Sequence, residues 1–286
     1  MKRVSEERRK RGTTLVLGGT GKSGRRVVER LKARGFPVRI GSRSCSPPFD
    51  WEKQATWAPA LQGMTSAYMT YQPDLAFAGA VDRVRIFSAL ALKSGVRRLV
   101  LLSGRNEEGA ELAEQAVRNS GAEWTIVRSS FFNQDFSEAF LLEPVLAGEV
   151  AFPAGHVAEP FIDAEDIADA VVAALTEDKH VGKLYEVTGP RLLTFAEAVE
   201  EISKASGREI RYVPVSPEQF AAALSESGVP ADEAVAYTHL FATILDGRSS
   251  YLTDGVQRAL GREPRDFKVY AREAAATGVW EAARIV

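Results

Sequence analysis

Short apolar runs alternate with longer segments of helical periodicity through the first half of the chain. The runs that predict buried strands are residues 14–17, 37–42, 66–71, 97–103 and 124–128. The segments that predict helices between them are residues 25–34, 56–62, 77–94 and 107–119. Strands that alternate with helices in this way predict a parallel sheet covered by helices on both faces, with right-handed crossovers.

The second half of the chain has a different pattern. Helical periodicity dominates residues 141–146, 167–175, 196–202 and 220–224, and short strands such as residues 184–187 separate these segments. Asp163 and Thr194 precede two of the helical patterns, with Asp166 and Glu197 three residues later, as in helix caps. The pattern predicts a nucleotide-binding domain over residues 13–130. We expect residues 184–188 to add the last strand to the sheet of this domain. Residues 131–286 form the predicted smaller, mostly helical substrate-binding region.

Glycines at positions 18, 21 and 24 lie on the turn from the first predicted strand to the first helix. In a dinucleotide fingerprint the first glycine permits the tight turn, the second lets the backbone approach a pyrophosphate, and the third lets helix and strand pack closely. The helix start adds N–H groups and partial positive charge. We therefore predict an α/β fold with a Rossmann-type doubly wound parallel sheet. The alternative is a glycine-rich turn that only helps packing.

The residue type after the second strand distinguishes the two nicotinamide cofactors. An NAD site places Asp or Glu about 20 residues after the glycines, on the ribose 2′-hydroxyl. Here the chain has Ser42, Arg43 and Ser44. A guanidinium pairs with a 2′-phosphate, whereas an acid repels it, so we predict NADP(H) in preference to NAD(H). The alternatives are an exposed loop arginine at position 43, and Arg39 as a weaker phosphate ligand.

Composition narrows the class of protein. The 286 residues carry a formal net charge of −2, which gives no reason to expect a nucleic-acid partner. The basic residues at the start of the chain predict a flexible tail over residues 1–12. No run approaches the ~18–20 apolar residues that span a bilayer, and no signal peptide is recognisable. Cys45 is the single cysteine, and the three histidines have no metal-ligand spacing. We expect a cytoplasmic protein without a metal, and the oligomeric state is left open.

Several short motifs follow one another in a fixed order. They are residues 17–24, 49–51, 56–57, 71–74, 98–105, 131–138, 160–168 and 185–190. Through them the chain, from Thr14 to Trp280, resembles the NmrA-like family of atypical short-chain dehydrogenases, which bind NADP(H) on a Rossmann domain. The motifs together point to the family, but they do not identify a reaction.

The resemblance implies roles for particular residues. In the family, the glycine loop holds the pyrophosphate, the arginine after the second strand holds the 2′-phosphate, and the loops after the following strands line the ribose and nicotinamide. The implied cofactor residues are Gly18, Thr20, Gly21, Lys22, Ser23, Gly24, Ser42, Arg43, Asp50, Trp51, Thr70, Tyr71, Gln72, Ser103, Gly104, Ser129 and Phe131. The implied substrate residues are Phe132, Asn133, His156 and Phe161. Ser103 is also the candidate catalytic residue.

Other interpretations apply to some of these side chains. His156 fits an exposed loop as well as a proton donor. The aromatic residues Trp51, Phe131, Phe132 and Phe161 fit ordinary core packing as well as a surface that holds a flat ring.

The chain departs from typical short-chain dehydrogenases at the catalytic pair Tyr-x-x-x-Lys, in which lysine lowers the tyrosine pKa for proton delivery. None of the 7 tyrosines is followed by lysine four residues later. Where the pair is expected, the chain has residues 107–114, which begin and end with glutamate. The usual acid for reducing a simple ketone is therefore absent.

A quinone needs little acid, because its reduced oxyanion is stable and water can protonate it. We therefore predict an NADPH-dependent oxidoreductase that transfers a hydride to a quinone-like or polycyclic aromatic small molecule. One alternative is a redox sensor that binds NADP(H) without turnover. The other is a tailoring enzyme of polyketide biosynthesis, whose hydroquinone product reacts with O₂ so that the net reaction is oxygenation.

Overall fold

The computed structural model describes residues 12–281, so the predicted tail at residues 1–12 lies, apart from Gly12, outside the described residues. The strands are β1 (Thr13–Leu17), β2 (Val38–Gly41), β3 (Met64–Met69), β4 (Arg98–Gly104), β5 (Glu123–Ser129), β6 (Glu149–Phe152), β7 (Ala158–Glu159), β8 (Lys183–Val187), β9 (Leu193–Thr194) and β10 (Arg211–Pro214).

The helices of the described residues follow the same chain order. They are α1 (Lys22–Ala33), α2 (Trp57–Leu61), α3 (Ala80–Lys93), α4 (Glu108–Arg118), α5 (Asp135–Glu138), α6 (Leu142–Ala147), α7 (Ala164–Thr176), α8 (Phe195–Ser206), α9 (Pro217–Glu226), α10 (Ala231–Ile244), α11 (Gly255–Leu260) and α12 (Phe267–Ala276). None of them combines the length and the apolar character that crossing a bilayer requires.

A six-stranded sheet with the order β2-β1-β3-β4-β5-β8 organises the first unit of the chain. Every pair in it is parallel, and Val16 of β1 lies opposite Ile40 of β2 and Tyr68 of β3. The prediction of a Rossmann-type parallel sheet is therefore confirmed. Because side chains alternate along a strand, Leu15 and Leu17 face α2, α3 and α4, whereas Val16 faces the side that α1 and α7 cover.

The second unit comprises residues 130–163, 188–254 and 263 onward. It contains two short sheets, parallel β6–β10 and antiparallel β7–β9, together with most of the later helices. Aromatic side chains fill its core, and the largest fully buried ones are Phe136, Phe152, Phe161, Phe195, Phe267 and Trp280. These rings meet mainly edge-to-face or tilted, which suits their quadrupoles.

The division into units differs from the predicted one. The chain passes from the first unit to the second at Ser129–Ser130, but residues 164–187 and 255–262 belong to the first unit. The physical reason is that α7 packs on α1 as well as on the sheet. Arg26 pairs with Glu165 at 2.5 Å, and Arg30 pairs with Asp169 at 2.6 Å. Periodicity in the sequence predicts that this segment is helical, but it does not show which unit the helix covers. The role of the second unit in substrate binding stays a prediction.

The predicted cap at Thr194 is present at the start of α8. The Thr194 hydroxyl accepts a hydrogen bond from the Glu197 N–H at 3.2 Å, and the Glu197 carboxylate accepts one from the Thr194 N–H at 2.7 Å. At the start of α7, Asp163 is buried, and its Oδ1 accepts a hydrogen bond from Gln134 Nε2 at 2.7 Å.

We expect Thr194→Ala to lower the free energy of unfolding by about 1 kcal/mol, because the N–H groups at the start of α8 lose their side-chain acceptor. Urea-induced unfolding measures the change. Ser225→Ala is the matched control, because Ser225 is exposed and its hydroxyl donates only to Ala221 O of its own helix. Equal losses for the two variants would show that the cap does not contribute.

Candidate cofactor site

The turn from β1 to α1 depends on two glycines for its close packing. Gly18 has a φ of +61°, and a Cβ added to it would lie 2.4 Å from Thr70 Oγ1. A Cβ at Gly24, in the first turn of α1, would lie 2.1 Å from Gly18 O. A side chain at position 24 would therefore push α1 away from the end of β1, and one at position 18 would displace Thr70.

Gly21, between these two glycines, has space around it. It is the N-cap residue of α1, has no side-chain cap, and is exposed together with Thr20. A Cβ on Gly21 meets no atom closer than Gly18 O, at 3.3 Å. The start of a 12-residue helix that has no side-chain cap is a ready anion site, because its first N–H groups point outward. This cradle fits the pyrophosphate of a dinucleotide, and the side chain of Lys22 begins beside it.

Ser23, also a predicted cofactor residue, has a different contact. It is buried, and its Oγ accepts a hydrogen bond from the Tyr68 hydroxyl at 2.9 Å. Burial raises the pKa of Tyr68, so this hydroxyl stays protonated. The Ser23 side chain thus points to the sheet and anchors α1 on β3, so the predicted contact with cofactor falls to the Ser23 backbone N–H in the first turn of α1 and stays a prediction.

Arg43 follows β2, next to the glycine turn. The Gly18 N–H donates to Gly41 O at 3.0 Å, so the ends of β1 and β2 are adjacent. Arg43 is exposed, and no side chain or carbonyl of the described residues pairs with it. Arg39, the weaker candidate, donates to Ala60 O at 2.9 Å and to Gln62 O at 2.8 Å, at the end of α2. Of the two arginines, only Arg43 has an uncommitted guanidinium.

Ser42 and Asp50 lie on the same loop, which runs from β2 to α2. The Ser42 hydroxyl is 3.2 Å from Ser44 Oγ and 3.1 Å from Cys45 Sγ. Asp50 Oδ1 accepts from the Glu52 N–H at 3.0 Å, and the Asp50 carbonyl accepts from Trp57 Nε1 at 2.8 Å. These contacts fix the loop that carries Arg43.

Trp51 is part of the core. Its side chain packs within 5.1 Å of Phe49 and 5.0 Å of Tyr71, measured between ring centroids, and its Nε1 donates to Thr70 O at 2.9 Å. Trp51 therefore fits the alternative of core packing, and its predicted contact with cofactor stays a prediction. It holds in place the loop after β3, in which Gln72 is exposed.

The other two predicted residues of that loop also make internal contacts. Thr70 Oγ1 donates to Leu17 O at 3.1 Å and links the ends of β3 and β1. The Tyr71 hydroxyl accepts from Arg83 Nη1 at 2.9 Å, and burial raises its pKa. Of the residues predicted to bind cofactor in this loop, Gln72 is therefore the one whose side chain is free of these internal contacts. The loop backbone can also contact a ligand.

Ser103, the candidate catalytic residue, belongs to an ion-pair network. Its hydroxyl donates to Glu114 Oε1 at 2.7 Å, and Glu114 also accepts from Arg128 at 2.8 and 2.7 Å. Ser129 Oγ donates in turn to the Ser103 carbonyl at 3.3 Å. A hydroxyl has one proton to donate, and Ser103 gives it to Glu114. This contact does not favour the predicted role of polarising a substrate carbonyl.

A carboxyl pair that the sequence did not single out lies at the end of β4. Glu107 is 7% exposed, and its carboxyl hydrogen-bonds with that of half-buried Asp74. Burial, followed by the Asp74 charge, raises the pKa of Glu107 to about 9, and burial also raises that of Asp74. The pair therefore holds a proton at neutral pH. One feature of the sequence could have indicated this pair: Glu107 lies in the stretch where Tyr-x-x-x-Lys is expected.

In the second unit, the segment after β5 packs among aromatic rings. Half-buried Phe131 lies with its ring 5.1 Å from that of Phe195 and 6.2 Å from that of Phe140. Phe161 is 2% exposed, which fits the alternative of core packing, and its predicted contact with substrate stays a prediction. Phe140 is 46% exposed at the edge of this cluster, and the sequence gives no sign of it because a single exposed aromatic residue produces no periodic pattern.

The remaining predicted substrate residues differ in burial. Half-buried Phe132 pairs with Ile162 through a backbone bridge, and His156 is exposed. The Asn133 side chain is fully buried, and neither its Oδ1 nor its Nδ2 has a hydrogen-bond partner among the described residues. Buried amide atoms are normally paired, so Asn133 is an unsatisfied polar group beside the aromatic cluster.

Comparison with known proteins gives consistent matches over nearly the whole chain. The profile of the NmrA-like family matches residues 111–267. An uncharacterized oxidoreductase, YesF, of Bacillus subtilis is 33% identical over 95% of this chain and 99% of its own length. An NAD(P)H azoreductase of Xenophilus azovorans is 30% identical over 92% of this chain and 98% of its own. An NADPH-dependent quinone oxidoreductase of Escherichia coli, solved with NADPH, has a similar fold, with a TM-score of 0.72 and 20% identity over 91% of this chain and 99% of its own.

We expect Gly21→Val to remove dinucleotide binding while the protein still folds. The valine would occupy the space at the start of α1, where only Gly18 O lies within 4 Å of a Cβ. Calorimetric titration with NADPH measures binding, and circular dichroism checks the fold. Glu29→Val is the matched control, because it places the same side chain on the exposed face of α1. A folded Gly21→Val protein with unchanged affinity would mean that the loop is only a turn.

Proposed function

Because the chain belongs to the NmrA-like family, we propose that it is an NADPH-dependent reductase of a quinone-like or polycyclic aromatic acceptor. The observation that carries this proposal is the uncovered start of α1 next to the uncommitted guanidinium of Arg43. One feature suits a pyrophosphate and the other suits a 2′-phosphate. Two relatives, an oxidoreductase of Bacillus subtilis and an NAD(P)H azoreductase of Xenophilus azovorans, support the same class of activity.

The cofactor would be held by backbone more than by side chains. Gly18 and Gly24 fix the turn, Gly21 gives the pyrophosphate access to the start of α1, and Arg43 selects the phosphorylated ribose. Bound NADPH supplies a hydride, that is, two electrons and one proton. Ser42, Asp50 and Trp51 act on this site through the loop and the backbone that they position.

Two features favour an aromatic acceptor. Phe131 and exposed Phe140 offer ring faces and edges against which a flat molecule can pack. Asn133 offers an amide whose donors and acceptor are unused by the described residues, which suits a ring carbonyl or hydroxyl. A quinone also requires less proton transfer in the transition state than a simple ketone does, which suits a chain without Tyr-x-x-x-Lys.

We expect Arg43→Ala to weaken NADPH binding by about 10- to 100-fold and to leave NADH binding nearly unchanged, because a charge-assisted contact contributes roughly 1.5–3 kcal/mol. Calorimetric titration with both cofactors measures this difference. Arg97→Ala is the matched control, because Arg97 is exposed and directly precedes β4, at the amino ends of the strands and away from Arg43. Equal losses for NADPH and NADH would refute the assignment of Arg43 to the 2′-phosphate.

We expect faster oxidation of NADPH with quinones than with simple aliphatic ketones at matched concentrations. The reason is that a positioned acid accelerates reduction by ~10²–10⁴-fold, and a quinone gains least from it. Stopped-flow absorbance under anaerobic conditions tests the preference.

Two further outcomes of this measurement separate the alternatives. Uptake of O₂ in aerated buffer, stoichiometric with NADPH, would favour net oxygenation of the acceptor. Tight NADPH binding with no oxidation by any acceptor would contradict the reductase and favour a redox sensor.

A further inference from the structure

The contact between Asp74 and Glu107 brings two acids together without a base. Two carboxylates in contact repel each other, so such a pair retains a shared proton. No basic side chain of the described residues interacts with either carboxyl. The polar contact to Asp74 from its own loop is the Ala76 N–H, at 2.8 Å from Oδ1. The other acids in the first turn of α4, Glu108 and Glu111, are exposed.

The backbone is shaped to make this contact. A Cβ on Gly104 would lie 2.0 Å from Glu107 Oε1, so the carboxyl lies over the last residue of β4 because that residue is glycine. A Cβ on Gly109 would lie 2.5 Å from Leu75 O, so a second glycine brings α4 against the loop that carries Asp74. Between them Asn106 has a φ of +56°, a conformation that non-glycine residues seldom adopt and that is frequent at functional sites.

A purely structural role explains this arrangement poorly. Burying an acid costs free energy unless its oxygens are paired, and Glu107 Oε2 accepts no hydrogen bond from any N–H or O–H group of the described residues. Glutamine at position 107 would give Asp74 an N–H donor without any need for a shared proton. Glu114, which is also buried, differs from Glu107 because its carboxylate accepts hydrogen bonds from Ser103 and Arg128. Such pairing is how a buried carboxylate is stabilised when its role is structural.

We propose that the Asp74–Glu107 pair is the proton donor of the reduction, an inference that rests on the proposed function. As the acceptor takes a hydride from NADPH, the O–H bond of Glu107 breaks and a new O–H or N–H bond forms on the acceptor. NADPH becomes NADP⁺, the acceptor gains two electrons, and Glu107 is left as a carboxylate. Half-buried Asp74 then relays a proton from water to Glu107.

The shared proton can be tested without cofactor or substrate. Folded Glu107 keeps its proton up to a pH of about 9, whereas the unfolded chain releases it near 4.5, so the folded state holds more protons between these values. The free energy of unfolding should therefore fall as pH rises through this interval. We expect Glu107→Gln to lose this dependence and Glu108→Gln, an exposed acid on the same turn, to keep it. Infrared spectroscopy at neutral pH should show a protonated carboxylic acid in the wild type that Glu107→Gln lacks.

The catalytic role has its own measurement. With an azo compound or an imine, whose reduced nitrogen must be protonated, we expect Glu107→Gln to lower kcat by ~10²–10⁴-fold and to leave the Kd for NADPH unchanged. With a quinone the loss should stay within about tenfold, because the hydroquinone anion needs no strong acid. Asp74→Asn should slow the same reactions and shift their pH profile, whereas Glu108→Gln should change neither.

The outcomes separate this inference from the proposed function. A wild-type protein that reduces these acceptors, with Glu107→Gln equally active on all of them, overturns the proton donor and leaves the reductase standing. A wild-type protein that binds NADPH and reduces no acceptor overturns both. An unprotonated Glu107 at neutral pH overturns the proton donor, whatever the rates.

Discussion

The carbonyl oxygen of Gly18 occupies the place where any side chain at position 24 would begin, and this close approach of α1 to β1 determines how the cofactor site is built. It holds the start of α1 next to the ends of the neighbouring strands. Thr70 ties β3 to β1 through Leu17 O, and Tyr68 ties β3 to α1 through Ser23. The N–H groups at the start of α1 and the loop of Arg43 thus lie together at the carboxyl ends of β1 and β2, where a few short contacts hold them.

Two buried glutamates with different surroundings follow β4, Glu107 just before α4 and Glu114 within it. Glu114 accepts hydrogen bonds from a serine and an arginine and is an ordinary buried ion pair. Glu107 meets another acid and keeps a proton. The negative charge of Glu114 is balanced by Arg128, whereas Glu107 stays neutral. A carboxyl that stays neutral can donate a hydrogen bond or a proton, which a paired carboxylate cannot do. The same residue type therefore serves stability at one position and suits chemistry at the other.

The sequence predicted the features that depend on local periodicity. The parallel sheet follows from alternating strands and helices, and the cap at Thr194 follows from residues three positions apart. The features that it did not predict depend on distant contacts. Periodicity does not show that Trp51 and Phe161 are surrounded by other rings, or that Ser103 meets Glu114. The Asp74–Glu107 pair was hidden for the same reason, since its members lie on separate loops. Arg43 could be predicted from the sequence because the residue that contacts the ribose lies about 20 residues after the glycine motif.

The first unit is assembled from separated stretches of chain, and this affects its biosynthesis. Arg262 pairs with Asp166 at 2.7 Å and with Asp169 at 2.6 Å, and Gly255 lies against the carbonyl of Glu186. These partners are made long after the sheet strands that α7 covers. On the ribosome, the nucleotide-binding unit therefore cannot be completed until almost the whole chain has emerged. Until then α7 and β8 lack their contacts with residues 255–262, and a chaperone that binds the nascent chain during that interval would protect the apolar side chains left exposed.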